Sequence, residues 1–432
     1  MKKMSCVVLA VLFAFVSIGC ISRAWAESDG VFQPMLDTDT SCEITVIGSY
    51  SNFEALEAEF ESFNEFYPDV ELSYLKPDDY NNLLGAVLES TNAPNIFFSN
   101  PWMYGNENYQ AVLDHMEDLS DPQLGLDLEC IRPSLLSLDD NGQLLMVPIF
   151  ARNYGMLVNN DLFEKEGLQV PTTWEELLTV CEAFLEKGYA SPMMGYSADS
   201  SGSGCLMNIL VYPEVLAALA GDPEALRAAN GMEPASGECM RKGLEAMMQL
   251  IGNGYINLEK CGEIGDNYAE VILRFFEGDV PMMICTGDTV SGTGKRESQS
   301  EAFSKAPFTY SFNPIPMSEA GGYFVDSPSV EFSVNKTCDN LDMTNEFMRF
   351  LISRSELNKM ASVKRLVTPT KDLSFDSVYE PFGHVPTERV LSPEVIGITD
   401  PLAVQVRLAS YLVGTGAVTV DEAVSQYGSF EQ

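Results

Sequence analysis

The stretch GQLLMVPIFARNYGMLVNNDLFEKEGLQVPTTWEELLTVCEAFLEK, residues 142–187, decides the fold of this chain. Its first part is an apolar run that contains Pro148, which predicts a strand at a sheet edge or crossover, because proline cannot donate to a strand ladder. Tyr154 lies in a second short strand, which turn residues follow. Thr173 is the predicted N-cap of the helix that comes next, and Glu176, three residues on, completes a capping box. The stretch therefore predicts two strands and an amphipathic helix.

This order of elements resembles the crossover block of extracellular solute-binding proteins of bacterial ABC importers, the family that includes maltose-binding protein. Members share the pattern P-x(n)-Y-x-x-x-x-N-x-D-L-F-x-K-x-G-L-x-x-P-x-T-W-x-E-L. The matching residues here are Pro148, Tyr154, Asn159, Asp161, Leu162, Phe163, Lys165, Gly167, Leu168, Pro171, Thr173, Trp174, Glu176 and Leu177. The resemblance implies an α/β, two-lobed periplasmic-binding-protein fold of type II. Each lobe would be a mostly parallel sheet flanked by helices, and crossing strands would form the hinge.

The resemblance extends over nearly all of residues 43–428 and implies a division into lobes. The predicted divisions are a signal peptide at 1–26, a linker at 27–42, an N-terminal lobe at 43–150 and 329–375, and a C-terminal lobe at 151–328 and 376–432. One departure from the family concerns the second lobe, where Thr289, preceded by Asp288, stands at the position of the usual tryptophan. That departure weakens the expectation of sugar stacking on an aromatic ring at this position.

The N-terminus predicts export. Two lysines precede an apolar segment, and Ala24-Trp25-Ala26 provides a small-x-small cleavage site, as in a signal peptide. Val16-Ser17-Ile18-Gly19-Cys20 also partly fits a bacterial lipobox, so lipidation at Cys20 and cleavage after Ala26 both stay open. We expect an extracytoplasmic protein at the cell surface or in the periplasm.

Charge and cysteine content narrow the function classes. Removal of residues 1–26 takes three positive charges away and moves the formal charge from −38 to −41. A surface so acidic repels phosphate backbones, so we expect no nucleic-acid partner. Eight of the ten cysteines follow residue 26, and no CxxC pair occurs, so a zinc site is unsupported. Cys181 lies on the apolar face of the predicted helix and is interpreted as a buried thiol.

Candidate ligand-binding residues follow the rule that ligands of open α/β sheets lie beyond the carboxyl ends of strands. They come after the first strand, after the third strand, at the crossover and in the second lobe. The predicted set is Tyr50, Ser51, Asn52, Asn100, Trp102, Arg152, Tyr154, Tyr196, Asp288, Tyr323, Asp326 and Glu331. Alternatives stay open: Ser51 or Asn52 as helix caps, Trp102 in lobe packing, and Arg152 in a structural ion pair.

The sequence favours a binding protein over an enzyme. It has two histidines and no GxSxG, HExxH or phosphate-cradling glycine loop, so we expect no catalysis, no cofactor and no metal. The resemblance implies a monomer that binds a small molecule, usually a carbohydrate, and passes it to ABC permease subunits in the membrane. A cationic solute such as a polyamine, or a sensor or scavenger with the same fold, remains an alternative.

Overall fold

A computed structural model describes residues 32–50, 53–104, 106–196, 205–265, 268–373 and 376–430. The predicted signal peptide, with Cys20 and Ala26, lies outside the described residues. From Pro34 onwards the chain is one compact unit. Along the described ranges, no helix has both the length and the apolar character needed to cross a membrane.

The strands and helices alternate along much of the chain, as the sequence predicts for an α/β fold. The strands are β1 (Cys42–Ile47), β2 (Val70–Leu75), β3 (Ile96–Ser99), β4 (Val147–Arg152), β5 (Tyr154–Asn159), β6 (Met193–Gly195), β7 (Met282–Thr286), β8 (Tyr310–Asn313), β9 (Phe324–Val325), β10 (Ser327–Val334) and β11 (Val390–Leu391). The helices are α1 (Glu54–Asn64), α2 (Tyr80–Leu88), α3 (Gln110–Asp114), α4 (Asn160–Glu166), α5 (Trp174–Glu186), α6 (Leu206–Leu219), α7 (Pro223–Asn230), α8 (Glu238–Gly252), α9 (Leu258–Gly262), α10 (Tyr268–Phe275), α11 (Gly287–Ser291), α12 (Thr293–Glu297), α13 (Glu301–Lys305), α14 (Leu341–Leu351), α15 (Arg354–Lys364), α16 (Pro393–Ile396), α17 (Asp400–Gly414) and α18 (Val420–Ser425).

Two sheets form the centres of the two lobes. The first has the strand order β2-β1-β3-β10-β4 and the second the order β6-β7-β5-β8. A short parallel pair, β9 with β11, stands apart from both. Strand β4 is an edge strand, which confirms the interpretation of Pro148, since an edge position spares proline the second ladder bond it cannot make.

Both sheets are mixed, so the expectation of mostly parallel sheets is wrong in detail although the two-lobed α/β fold class is confirmed. In the first sheet β1 is parallel to β2 and β3, but β10 is antiparallel to β3 and to β4. In the second, β6 and β7 are parallel, whereas β5 is antiparallel to β7 and β8. The reversed strands are β10 in the first sheet and β5 in the second, and all the other strands of each sheet run in one direction.

Helix α5 begins as the sequence predicts. The Thr173 hydroxyl accepts the Glu176 N–H at 3.3 Å, and the Glu176 carboxylate accepts the Thr173 N–H at 3.2 Å. This reciprocal pair satisfies two backbone groups that the first helical turn cannot satisfy itself. Cys181 is fully buried on this helix, and burial raises the pKa of its thiol. No disulfide joins the cysteines of the described ranges.

An aromatic cluster fills the space between α1 and the first sheet. The ring centroids of Phe53 and Phe98 lie 5.8 Å apart, and those of Phe98 and Phe332 lie 5.4 Å apart. All three side chains are buried. Full burial of one such ring contributes about 1.5–3 kcal/mol, so this cluster holds β3 and β10 against the residues that follow β1.

Residues 35–36, within the predicted linker, are fixed to the first lobe. The Met35 N–H donates to Glu346 Oε1 at 2.7 Å, and the Leu36 N–H donates to the Tyr67 hydroxyl at 3.2 Å. Tyr67 in turn donates to the same Glu346 oxygen at 2.6 Å. The contacts of the first lobe therefore begin before β1, where the Met35 N–H binds a side chain of α14.

Candidate functional site

The crossing from β4 to β5 brings the two sheets together. Arg152 ends β4, Tyr154 begins β5, and only Asn153 stands between them. Asn153 is fully buried, and its backbone carbonyl accepts the Gly287 N–H at 2.9 Å. The side-chain amide of Asn153 has no hydrogen-bond partner among the described residues. This crossing is therefore tight and fixes the two side chains that flank it.

Arg152 and Asp288 meet at this crossing. Asp288 lies in the first turn of α11, just beyond the carboxyl end of β7, and its Oδ2 is 3.6 Å from Arg152 Nη1. The Ser329 hydroxyl, from β10, donates to the other Asp288 oxygen, and Arg152 Nε donates to the Pro328 carbonyl at 3.2 Å. Arg152 and Asp288 keep 26% and 21% of their side-chain surface exposed, so a solute can reach both.

Tyr50 joins this group from the first lobe. Its ring meets Phe98 edge to face at 5.4 Å, and Lys364 Nζ lies 5.3 Å from the ring centroid. Burial raises the pKa of its hydroxyl, the Asp288 charge raises it further, and a hydrogen bond with Ser329 opposes both. The hydroxyl is therefore close to Asp288, although these residues come from opposite lobes.

Two further residues extend the site and were not predicted from the sequence. Tyr212 of α6 packs edge to face against Tyr154, with ring centroids 6.0 Å apart. Glu394 of α16 accepts hydrogen bonds from the hydroxyls of Ser327 at 3.0 Å and Ser392 at 3.1 Å. Burial raises the pKa of Glu394, while these bonds and the Arg152 charge oppose the shift.

Sequence reasoning missed these two residues for different reasons. Tyr212 sits in a helix that is apolar on all sides, so nothing local marks it. Glu394 follows Ser392 and Pro393, a combination that reads as an ordinary helix start. The burial of the Glu394 carboxyl group becomes apparent only in the three-dimensional structure.

Glu331 is the most enclosed of the predicted residues. It lies on β10, opposite Ser99 of β3 and Pro148 of β4, and is 1% exposed. Neither carboxyl oxygen has a hydrogen-bond partner in the part of the chain that the structure describes. Burial raises the pKa of Glu331 well above its ordinary value, the Glu394 charge adds to the shift, and Arg152 opposes it.

Asp326 has a structural role that the sequence did not predict. Arg132 binds it with two parallel bonds, Nε to Oδ2 at 2.9 Å and Nη2 to Oδ1 at 2.7 Å. The Ser134 hydroxyl donates to Oδ2 at 2.8 Å, and the Asp326 side chain is 1% exposed. Because this carboxylate is enclosed and already bonded, it fastens the crossing between β9 and β10, and we do not count it among the residues that face a solute.

Tyr323 lies at a separate cavity of about 400 Å³ in the second lobe. The Arg389 guanidinium stacks over its ring, 3.9 Å from the centroid. Arg389 Nε also donates to the Gly322 carbonyl at 2.9 Å, and this bond helps to hold the guanidinium over the Tyr323 ring.

Asn100 and Trp102 lie in the loop after β3. Asn100 precedes the 3-10 turn Pro101–Met103, and Trp102 packs edge to face on Tyr109 with centroids 4.9 Å apart. Both tryptophan and tyrosine keep partial exposure. A role for Trp102 in packing within its lobe is therefore as well supported as a contact between Trp102 and a ligand.

The other predicted residues lie at or beyond the described ranges. Tyr196 ends one range, and its carbonyl accepts the Leu206 N–H at 2.8 Å. Ser51, Asn52 and Cys20 lie outside the described residues. Within the described ranges, no group of three His, Cys, Asp or Glu side chains is placed to hold a metal ion.

Comparison with known proteins agrees with this architecture. The family described as "Bacterial extracellular solute-binding protein" matches residues 56–381. An uncharacterised ABC transporter extracellular-binding protein of Pyrococcus horikoshii is 24% identical over 201 residues. That alignment covers 45% of this chain and 46% of the relative, so it spans about half the length of each protein.

Solved structures share the fold at low sequence identity. RafE in complex with raffinose has a TM-score of 0.67 and 18% identity, covering 90% of this chain and 98% of that one. The sugar-binding protein MalE of Xanthomonas citri has a TM-score of 0.67 and 18% identity, covering 89% and 95%. A sugar transporter protein of Bacillus licheniformis in complex with stachyose has a TM-score of 0.62 and 16% identity, covering 89% and 99%.

Proposed function

The chain belongs to the bacterial extracellular solute-binding protein family, and we propose that it binds a small carbohydrate between its two lobes. The observation that carries this proposal is the meeting of Arg152 at the crossing, Asp288 in α11 just after the second sheet, and Ser329 in β10 of the first sheet. A solute bound there touches both lobes at once. Closure of the lobes about the crossing strands would then bury it.

The chemistry of this group suits a sugar. Asp288 offers acceptor oxygens for hydroxyl groups, and Arg152 offers fixed donors. The rings of Tyr50, Tyr154 and Tyr212 supply apolar faces beside them. The raffinose and stachyose complexes of RafE and the Bacillus licheniformis protein support the same class of solute. The family consists of binding proteins, and the chain is a binding protein, not an enzyme.

We propose delivery to a membrane permease as the fate of the solute. The name of the Pyrococcus horikoshii relative, an ABC transporter extracellular-binding protein, supports this role. Export through the predicted signal peptide, as a monomer with or without a lipid on Cys20, fits the same role. Presentation of the solute to a receptor, as in an exported sensor or scavenger, is the second candidate, and uptake assays separate the two. Loss of solute uptake in cells lacking this protein supports delivery, and unchanged uptake supports sensing.

A cationic solute is the alternative with a specific structural basis. Three carboxyl groups, those of Asp288, Glu331 and Glu394, stand near the single guanidinium of Arg152. If every group were ionised, the acids would outnumber the arginine. A polyamine or amino compound would balance that excess.

A binding screen tests the carbohydrate proposal. The purified protein is titrated with mono- to tetrasaccharides and with polyamines while its melting temperature is followed. A solute at about 100 times its dissociation constant stabilises the folded protein by roughly 2.7 kcal/mol. We expect one sugar class to raise the melting temperature by several degrees.

Matched variants locate the site. Asp288→Ala should abolish the shift, because it removes the carboxylate that Arg152 and Ser329 hold. Asp279→Ala removes an acid that is 65% exposed and pairs with Arg274, and should leave the shift intact. A sugar shift that survives Asp288→Ala would place the site elsewhere, and the absence of any sugar shift would contradict the proposal.

A further inference from the structure

The three carboxyl groups near Arg152 differ in what holds them. Asp288 is bonded to Ser329 and lies 3.6 Å from Arg152. Glu394 accepts hydrogen bonds from two serine hydroxyls, those of Ser327 and Ser392. Neither oxygen of Glu331, by contrast, meets a donor in the described ranges. One acid of the site is therefore left without a partner inside the protein.

Glu331 nevertheless lies near the group that Arg152, Asp288 and Glu394 form. Its charge raises the pKa of Tyr104, after the larger effect of burial on that hydroxyl. Glu331 in turn responds to the charges of Glu394 and Arg152. Along β10, Glu331 lies two residues after Ser329, which binds Asp288, and it stands opposite Pro148 of β4, the strand that ends at Arg152.

An isolated buried carboxylate is costly. Enclosure of one unpaired ion costs several kcal/mol, and proteins avoid that cost by pairing the ion or by keeping it protonated. Polar groups this enclosed are almost always bonded, so an exception in a ligand site needs a functional reason. A donor brought by the solute would satisfy both oxygens at once, because an ammonium group carries three N–H donors.

We propose that the solute is an amino sugar whose cationic nitrogen pairs with Glu331. This inference rests on the proposed carbohydrate site between the lobes and names the class of sugar it takes. The hydroxyl groups of the sugar are left to Asp288 and Arg152, whose exposed surface permits direct contact. Glu331 is thus the specificity-determining residue that separates amino sugars from neutral ones.

Matched sugars test this inference by calorimetry. The probes are glucosamine and its β-1,4 oligomers, the corresponding glucose oligomers and the corresponding N-acetylated oligomers. We expect the amino form to bind at least tenfold more tightly than its glucose and N-acetylated counterparts. Glu331→Gln should remove that preference, because the amide keeps the shape of the side chain but not its charge.

Each outcome decides between the two proposals. Neutral sugars that bind as tightly as amino sugars, or an amino-sugar affinity unchanged in Glu331→Gln, would overturn the role of Glu331 and leave the carbohydrate site standing. No binding by any of the three series would overturn the carbohydrate site itself. Asp279→Asn removes one exposed acid and controls for a general effect of net charge. An equal loss of the preference in Asp279→Asn would also overturn the inference.

Discussion

Arg132 and Asp326 form a two-point ion pair across 194 residues of sequence, with side chains only 9% and 1% exposed. The remaining guanidinium nitrogen donates to the carbonyls of Thr368 at 2.6 Å and Thr370 at 2.8 Å. One side chain thereby ties three segments together: the turn before β4, the link between β9 and β10, and the chain after α15. These bonds of Arg132 hold the segments at the crossing together, so the strands there are not separate and flexible.

Loss of this pair should destabilise the protein strongly. Arg132→Leu leaves the Asp326 carboxylate buried without its partner, and such a change costs about 3–5 kcal/mol. Urea unfolding followed by circular dichroism measures it. Lys305→Ala serves as the control, because it breaks a pair with Glu301 whose side chains are 71% and 83% exposed, and the unfolding midpoint should stay unchanged. Equal midpoints for the two variants would show that the buried pair contributes nothing.

Gly287 should tolerate no side chain. A Cβ at this position would lie 2.8 Å from Asn153 Oδ1 and 3.3 Å from the Tyr379 hydroxyl, so Gly287→Ala forces the buried Asn153 side chain to move. Overpacking of this kind costs about 1–3 kcal/mol. Thermal unfolding gives the comparison with Gly252→Ala at the end of α8, where the added methyl meets nothing within 4 Å. Because alanine favours helix over glycine, that control should be slightly more stable, and a stable Gly287→Ala protein would argue against a tight crossing.

Glu331 should make stability depend on pH in a defined direction. Its folded-state pKa is raised, so below the unfolded pKa of about 4.3 both states hold the proton and the residue has no effect. As the pH rises above that value, the unfolded chain ionises first and gains free energy, so the folded state loses stability until its own raised pKa is reached. The charged groups that act on Glu331 are Glu394, which raises its pKa, and Arg152, which lowers it, and Glu331 in turn raises the pKa of Tyr104.

Glu331→Gln removes this loss. The variant should therefore be more stable than the native protein at pH 7.5, and the difference should shrink as the pH falls towards 4. Urea unfolding at a series of pH values gives both curves. Parallel curves, with a constant difference between the proteins, would mean that Glu331 does not titrate differently in the folded state.

The capping box of α5 should contribute measurably to stability. Thr173→Ala removes the hydroxyl that accepts the Glu176 N–H, and loss of such a cap costs about 0.5–2 kcal/mol. Thr179→Ala, in the middle of the same helix, removes a hydroxyl that only donates to the Glu175 carbonyl. Since alanine is the better helix former there, this control should be neutral or slightly stabilising in thermal unfolding. Similar losses in both variants would contradict a specific role for the cap.

Local patterns predicted much of the fold. The turn and helix signals between Pro148 and Glu176 lie close together in sequence, and the structure reproduces them as an edge strand and a capping box. The direction of each strand relative to its neighbours was harder to predict from the sequence. Whether β5 or β10 runs parallel to its neighbours depends on how the chain returns to each sheet, and hydrophobic periodicity carries no information about that.

The candidate site, like the fold, could be predicted from the sequence only in part. Arg152 ends β4 and Asp288 follows β7, so the rule about carboxyl ends of strands selects them, whereas Tyr154 begins β5 and was predicted from its place at the crossing. The partner of Asp326 was out of reach, because Arg132 lies in a loop with no periodic pattern around it. Glu394 likewise joins the site because it accepts the Ser327 hydroxyl at the start of β10, and a single sequence does not show which distant loops become neighbours.

The bonds of Met35 and Leu36 to Glu346 and Tyr67 have a mechanical consequence. Any pull on the chain ahead of Pro34 is delivered to α14 and α1, and hence to the first lobe. If that end is held, the first lobe becomes the stationary frame and the second lobe becomes the part that swings. Relative to that held end, each binding of a solute would then displace the second lobe and leave the first lobe in place.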